Sequence, residues 1–263
     1  MDYDEFRRLL LQHGEELYRD MPWRRDTRPY YVLVSEQMLQ QTQVDRVVPK
    51  FEAFIAAFPN EHALAQASLA DVLRLWQGLG YNRRAKFLHE AAKKVSEKGT
   101  FPDTQAALLE LPGVGTNTAG AILAYAFNKP ALFIETNVRA VYIHHFFHEQ
   151  ELVDDKAIMS LLESTIAMDK PRRFYWALMD YGSWLKKQGV LPSRSRHYKK
   201  QSPLKGSVRE VRGQILTALA SIDMTEQELR EQLVTDDRFA IALLGLINDG
   251  LITRSGTRLH LTK

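Results

Sequence analysis

The sequence predicts a mainly α-helical chain: a large helical domain over residues 1–185, a basic linker over 186–207 and a small mixed module over 208–263. Apolar residues recur at three- and four-residue spacings, as in Leu69, Val72, Leu73, Leu75 and Trp76, or Ile158, Leu161, Leu162 and Ile166. Strand-like alternation is nearly absent before residue 185. Breakers at Met21-Pro22, Phe58-Pro59-Asn60, Gly99-Thr100-Phe101-Pro102, Asn128-Lys129-Pro130 and Lys170-Pro171 cut that region into roughly eight to ten helices of ordinary length.

Charge marks the boundary between the parts. The 263 residues carry 35 Lys and Arg against 32 Asp and Glu, a surplus of only three. Between Lys186 and Arg212, however, Lys186, Lys187, Arg194, Arg196, Lys199, Lys200, Lys205, Arg209 and Arg212 face the single acid Glu210. Clustered cations in a Pro/Ser/Gly-containing stretch suit a linker that neutralises phosphates, since counterion release rewards them; a solvated linker without a partner has the same composition. The longest apolar stretch, Ala119 to Ala126, is too short for a membrane span, and the acidic start Met1-Asp2-Tyr3-Asp4-Glu5 is unlike an export signal. The expectation is a cytoplasmic protein, nucleoid-associated in a bacterium. With no cysteine, disulfides, thiolate nucleophiles, cysteine-zinc sites and cysteine-ligated iron–sulfur clusters are excluded.

The C-terminal module reads as a helix from about Val208 to Ala220, a short helix opened by the capping box Thr225-Glu226-Gln227-Glu228, and a helix from about Asp237 to Asn248. A hairpin follows, with Gly250 to Arg254 and Thr257 to Leu261 alternating on either side of Ser255-Gly256. Three helices and a hairpin resemble a winged helix. Its third helix offers Arg238 as its only basic residue, so a protein contact or plain packing suits it as well as base reading.

The sharpest local signal is Leu111-Pro112-Gly113-Val114-Gly115-Thr116-Asn117-Thr118-Ala119-Gly120, set between two helices. Glycines let a backbone turn sharply and approach a ligand, and free amides opening the next helix form an anion site suited to a phosphate. A bare Gly-x-Gly also fits an ordinary helix–helix turn. The full string resembles the helix-hairpin-helix of base-excision DNA glycosylases. With Pro22-Trp23-Arg24, Ser35-Glu36-Gln37-Met38-Leu39-Gln40-Gln41-Thr42-Gln43-Val44, Trp76-Gln77-Gly78-Leu79-Gly80-Tyr81, Asn137-Val138-Arg139-Ala140-Val141 and Met179-Asp180-Tyr181-Gly182, residues 5 to 185 resemble the adenine glycosylase (MutY) branch of the endonuclease III superfamily.

The resemblance implies a two-lobed helix-hairpin-helix glycosylase domain that extrudes one nucleotide from duplex DNA and hydrolyses its N-glycosidic bond. Glu36 matches the glutamate that protonates the departing base and then assists water. Glu135 stands where the family has an aspartate that stabilises the oxocarbenium-like sugar; the extra methylene displaces the charge by roughly 1.5 Å. Asn117 stands where bifunctional relatives place a Schiff-base lysine, which implies a monofunctional enzyme without strong lyase activity. Trp23, Arg24, Leu39, Asn117 and Trp176 match the base pocket. Gln41, which fills the gap left by the flipped base, and Tyr81, which stacks in the opposite strand, match DNA-entering positions, with Thr42, Leu111, Gly113, Val114, Gly115, Thr118 and Asn137 as further DNA contacts.

Three departures bear on function. The four family cysteines that hold an iron–sulfur cluster are missing, and Ser183-Trp184-Leu185-Lys186-Lys187 and Ser193-Arg194-Ser195-Arg196 occupy that region, so the basic linker is expected to take over phosphate binding. Trp176 replaces a Gln or Glu that meets adenine, turning a hydrogen-bonding partner into an aromatic wall. The winged-helix-like module replaces a larger domain that senses 8-oxoguanine. The expected partner is double-stranded DNA with adenine opposite 8-oxoguanine or guanine; thymine or uracil opposite guanine, or a catalytically weak lesion-binding protein, are the alternatives. A monomer is expected, with a C-terminal domain that contacts DNA or a protein. Among His144, His145 and His148, the pair His144 and His148 has the four-residue spacing of metal ligands but no apparent third ligand, so no catalytic metal is expected; the resemblance allows a backbone-bound monovalent cation at the hairpin.

Overall fold

A computed structural model describes residues 2–190, 194–198, 201–233 and 236–263. Ser193, Lys199 and Lys200 of the basic region lie outside the described residues. The chain forms two compact units, each assembled from separated stretches of sequence.

The first unit comprises residues 1–32, 102–110 and 114–201. It contains α1 (Tyr3–Glu16), α2 (Pro22–Arg25), the first turn of α3 (Pro29–Leu39), α8 (Gln105–Leu109), α9 (Thr116–Tyr125), α10 (Thr136–Phe146), α11 (Asp155–Thr165) and α12 (Pro171–Lys187). Helix α12 packs along α1 and α10. Phe6, Leu10, Val138, Tyr142, Phe174, Tyr175 and Leu178 fill that contact and are excluded from solvent. Beyond α12 the chain returns to the end of α10. Arg194 donates from Nη2 to the carbonyls of Phe147 at 2.5 Å, His148 at 3.0 Å and Gln150 at 2.5 Å, and Val153 pairs with Ser195 in a parallel bridge. Carbonyls left over where a helix ends find a charged donor there.

The second unit comprises residues 33–101, 111–113 and 202–263. It holds the rest of α3, then α4 (Val44–Ala57), α5 (Glu61–Gln66), α6 (Leu69–Trp76) and α7 (Arg83–Lys98). Ser68 opens α6 by accepting the Asp71 amide at 3.1 Å, and Asn60 opens α5 by accepting that of Ala63 at 2.8 Å. The C-terminal residues add α13 (Val208–Ser221), β1 (Met224–Thr225), α14 (Glu226–Gln232), α15 (Asp237–Asn248), β2 (Ile252–Ser255) and β3 (Arg258–Leu261). Both bonds of the Thr225/Glu228 capping box form. The strands make an antiparallel sheet in the order β1-β3-β2, with Arg254 opposite Leu259 and Met224 opposite the same residue on the other side.

Two features differ from the sequence reading. The region up to Lys187 has more helices than the breakers suggested, because α2, α5 and α8 span only four, six and five residues and are too short to show a period. The C-terminal sheet has a third strand, β1, beside the expected hairpin, and these residues contact neighbouring helices: Arg74 of α6 donates to the Ala220 carbonyl at 3.0 Å, and Lys86 of α7 to that of Asp249 at 2.9 Å. A two-residue strand such as β1 carries no alternation to detect. Among the described residues, no helix is long and apolar enough to cross a membrane.

Candidate active site

Helix α3 carries Glu36 half-exposed between buried Ser35 and Gln37. The Gln37 side chain donates from Nε2 to the Gly113 carbonyl at 2.8 Å, fixing the Glu36 turn to the glycine hairpin. Gly113 has φ +74°, and a Cβ there would lie 2.7 Å from Cβ of Phe87, so both conformation and space demand glycine. Leu111 is buried beside it and Leu39 is partly exposed at the end of α3.

Two turns then leave the α3 and α6 ends, and each holds a non-glycine residue in left-handed conformation: Gln41 at φ +55° and Tyr81 at φ +48°. Such residues cost of order 1–3 kcal/mol and persist only where the surroundings over-determine them. Arg84, which sequence reasoning gave no role, does so here. Its buried guanidinium donates from Nη1 to the carbonyls of Gln37 at 2.5 Å, Met38 at 3.2 Å and Gln40 at 2.8 Å, and from Nη2 to those of Leu79 at 3.1 Å and Gly80 at 3.0 Å. Burial pulls its pKa down to about 10, still charged at neutral pH. Thr42 joins the two turns again, with Oγ1 donating to Gln40 and Leu79 carbonyls at 3.2 and 3.4 Å. Gln41 and Tyr81 are both exposed. The available signal was an arginine on the same α7 face as Ala85, Leu88, Ala92 and Val95, where a bare amphipathic helix would bury another apolar residue.

In the first unit, Glu135 precedes α10 at its N-cap position, partly exposed. Its segment is pinned from two sides. The Tyr175 ring stacks on Phe133 at 4.0 Å and its hydroxyl donates to the Ala131 carbonyl at 2.7 Å, while exposed Asn117 on α9 donates from Nδ2 to the Ile134 carbonyl at 2.8 Å. Burial raises the Glu135 pKa, with the positive charges of Arg139 and Lys186 opposing that rise. Asn137 lies so close to α12 that a Cβ on Gly182 would sit 2.4 Å from its carbonyl oxygen, and the Asn137 Oδ1 is buried without a hydrogen bond. The α9 N-terminus follows Gly115, with Val114 and Thr118 buried on either side.

Arg24 is buried. Its side chain is 2% exposed and meets wholly buried Asp180 through two hydrogen bonds, at 2.6 and 3.1 Å. Its guanidinium carbon also lies 5.3 Å from the Tyr18 ring and 5.2 Å from that of Trp176. Trp23 is buried on the same short helix. Trp176, Tyr18, Asn128, Lys170, Arg172 and Arg173 are among the residues around a cavity of about 530 Å³. Neither Glu135 nor Asn117 lines it, so the structure groups Trp176 with Arg24 and groups Asn117 with the Glu135 segment.

The basic stretch from Lys186 to Arg212 is used internally to a degree its composition conceals. Arg194 serves carbonyls, Arg212 pairs with Asp249 at 2.6 Å, Arg209 reaches Tyr81, and Lys186 is partly buried within the field of Glu135. No group of three or more histidine or carboxylate side chains is arranged to hold a metal ion among the described residues. Cysteine ligands for an iron–sulfur cluster do not exist in the sequence, so the residues present do not fit that group.

Residues 34–168 match the family described as HhH-GPD superfamily base excision DNA repair protein. Adenine DNA glycosylase of Mycobacterium tuberculosis is 32% identical over 277 residues, covering 94% of this chain and 90% of that protein. The chain belongs to the HhH-GPD superfamily. Adenine DNA glycosylase of Buchnera aphidicola subsp. Baizongia pistaciae is 38% identical over 171 residues, 63% of this chain and 48% of its own; the chain thus spans about half of that relative's length. Among solved structures, a thermostable thymine-DNA glycosylase superposes with a TM-score of 0.62 at 28% identity, covering 68% of this chain and 87% of that one.

Proposed function

We propose that the chain is a monofunctional DNA glycosylase that removes adenine from a mispair in base excision repair. The observation that carries this reading is the similarity to a protein named adenine DNA glycosylase along 94% of the chain. The geometry supports it through the two left-handed turns held by Arg84, which offer Gln41 and Tyr81 for entry into a duplex.

In the proposed reaction Glu36 gives its proton to the departing base, so that the N-glycosidic electron pair leaves on a neutral base. The sugar is left electron-poor, and the Glu135 carboxylate offsets its positive charge. Water, deprotonated by the Glu36 carboxylate, adds to the anomeric carbon. Asn117 is an amide and cannot form an imine with that carbon, which supports hydrolysis without strong strand cleavage. Trp23, Arg24, Leu39 and Trp176 form or support the base pocket, and Thr42, Leu111, Gly113, Val114, Gly115, Thr118 and Asn137 line the DNA path. A monovalent cation at the hairpin would be held by backbone carbonyls and would attract a phosphate. The protein acts as a monomer on double-stranded DNA in the cytoplasm, and its winged-helix-like residues 208–263 face DNA or a protein.

Trp176 favours a second reading, removal of thymine or uracil opposite guanine, because an aromatic wall carries no hydrogen-bond code for adenine. Single-turnover assays decide between them, using duplexes with adenine opposite 8-oxoguanine or guanine and thymine or uracil opposite guanine, read with and without alkali. Adenine loss revealed only by alkali is the expected result. Product from the pyrimidine duplexes alone establishes the second reading, and no product from any duplex refutes both.

A further inference from the structure

One C-terminal residue, Arg209, reaches Tyr81. The Tyr81 ring lies near two guanidinium groups, with the carbon of Arg84 5.6 Å and that of Arg209 5.3 Å from its centroid. Arg209 also donates from Nη1 to the phenol oxygen at 2.5 Å. Its Nη2 is anchored in turn, donating to the Ser202 carbonyl at 2.6 Å, the Ser202 Oγ at 3.2 Å and the Pro203 carbonyl at 3.4 Å. Arg209 belongs to the first turn of α13, and its anchors Ser202 and Pro203 lie at the end of the basic linker just before it. An arginine spent on one phenol and on local carbonyls is a fixed fork, and planar forks lose little freedom per bond they make. The tyrosine it grips already has its backbone set at φ +48° on a turn that Arg84 holds. Backbone and side chain of one exposed aromatic residue are therefore both fixed.

We propose that Arg209 is a positioning residue for Tyr81, by which the C-terminal segment orients the phenol for entry into the strand opposite the excised base and sharpens discrimination of that strand's base. The proposal rests on the glycosylase reading. An aromatic wedge gains from stacking only in an orientation parallel to the bases, and holding it so before binding removes the cost of ordering it during binding.

The test uses the full chain and duplexes in which 2′-fluoro-2′-deoxyadenosine stands opposite guanine or opposite thymine; the fluorine resists cleavage by destabilising the oxocarbenium-like sugar. The readout is the ratio of affinities for mispaired over matched duplex, with its salt dependence. Arg209→Met and Tyr81→Phe should each lower that ratio about tenfold, and the double variant should be no worse than either, since both delete one shared bond. Arg209→Lys should not restore the ratio, and the slope of log affinity against log salt should stay that of the unmodified protein. Rescue by lysine, or a slope reduced by about one with equal weakening on both duplexes, would identify Arg209 as a phosphate contact and overturn the proposal. Additive losses in the double variant overturn it too. A protein that releases bases normally while Arg209→Met keeps full discrimination sinks this inference alone; one that releases no base from any duplex removes the glycosylase reading and this inference with it.

Discussion

Replacing Arg84 by methionine should be the most damaging single change to the second unit. Methionine fills much of the same volume but removes the Arg84 donor from five carbonyls, of which those of Gln40 and Leu79 keep Thr42 and that of Gly80 keeps Trp76, while those of Gln37 and Met38 lose the guanidinium outright. Hydrogen bonds to a charged group contribute about 1.5–3 kcal/mol each, but five bonds from two nitrogens share donors, and some carbonyls regain water. Removing one partner from a buried charged network costs about 3–5 kcal/mol. Releasing the left-handed strain at Gln41 and Tyr81 returns part of that, which places the net loss near about 3 kcal/mol. Against a total stability of roughly 5–15 kcal/mol this is large. At about 2–4 °C per kcal/mol for a chain of this size, calorimetry should show a midpoint roughly 6–12 °C lower. A drop under about 3 °C would refute the idea that one guanidinium holds both turns. Arg84→Lys should fall between, since a single ammonium keeps the charge but cannot span two turns.

Glu135 should trade stability for chemistry. Its folded pKa is raised above the ordinary 4.5, so the stability its neutral form contributes is complete below about pH 4.5 and is lost as pH rises through the folded value. Glu135→Gln should therefore melt like the parent at pH 4 and higher than it at pH 8, while base release falls; equal melting at both pH values would show that burial does not strain this carboxylate. Asp180→Asn should cost about 3–5 kcal/mol in urea unfolding, because it leaves the 2%-exposed Arg24 guanidinium without its counter-charge. A loss below about 1 kcal/mol would mean that the Tyr18 and Trp176 rings suffice. Asn117→Lys should yield an adduct with abasic-site DNA that borohydride traps, and no adduct would place Asn117 out of reach of the sugar.

Much of this architecture was legible because it is periodic or punctuated. Helices α4, α6 and α7 follow the spacing of Val72, Leu73 and Trp76 and its counterparts, and the Thr225 capping box forms as written. The hairpin glycine is legible for a reason the structure supplies, the positive φ and the Phe87 contact at Gly113. What escaped the sequence depends on partners distant along the chain. Arg84 meets carbonyls more than forty residues away, and carbonyls have no letter in a sequence. Arg24 matched a pocket position, but only the fold shows Asp180 beneath it. The charge of the basic stretch from Lys186 to Arg212 was legible, but the internal acceptors of Arg194, Arg209 and Arg212 were not, since such side chains look solvated until their acceptors are seen.

The return of residues 194–198 to the end of α10 has a practical meaning beyond its hydrogen bonds. A latch made by Arg194 on three backbone carbonyls closes as soon as the chain folds, with no delivery of an inorganic group. A guanidinium does not oxidise as a thiolate or an iron–sulfur cluster does. Its hold on the Phe147–Gln150 loop is therefore indifferent to iron supply, chelators and oxidants, and is set by folding alone.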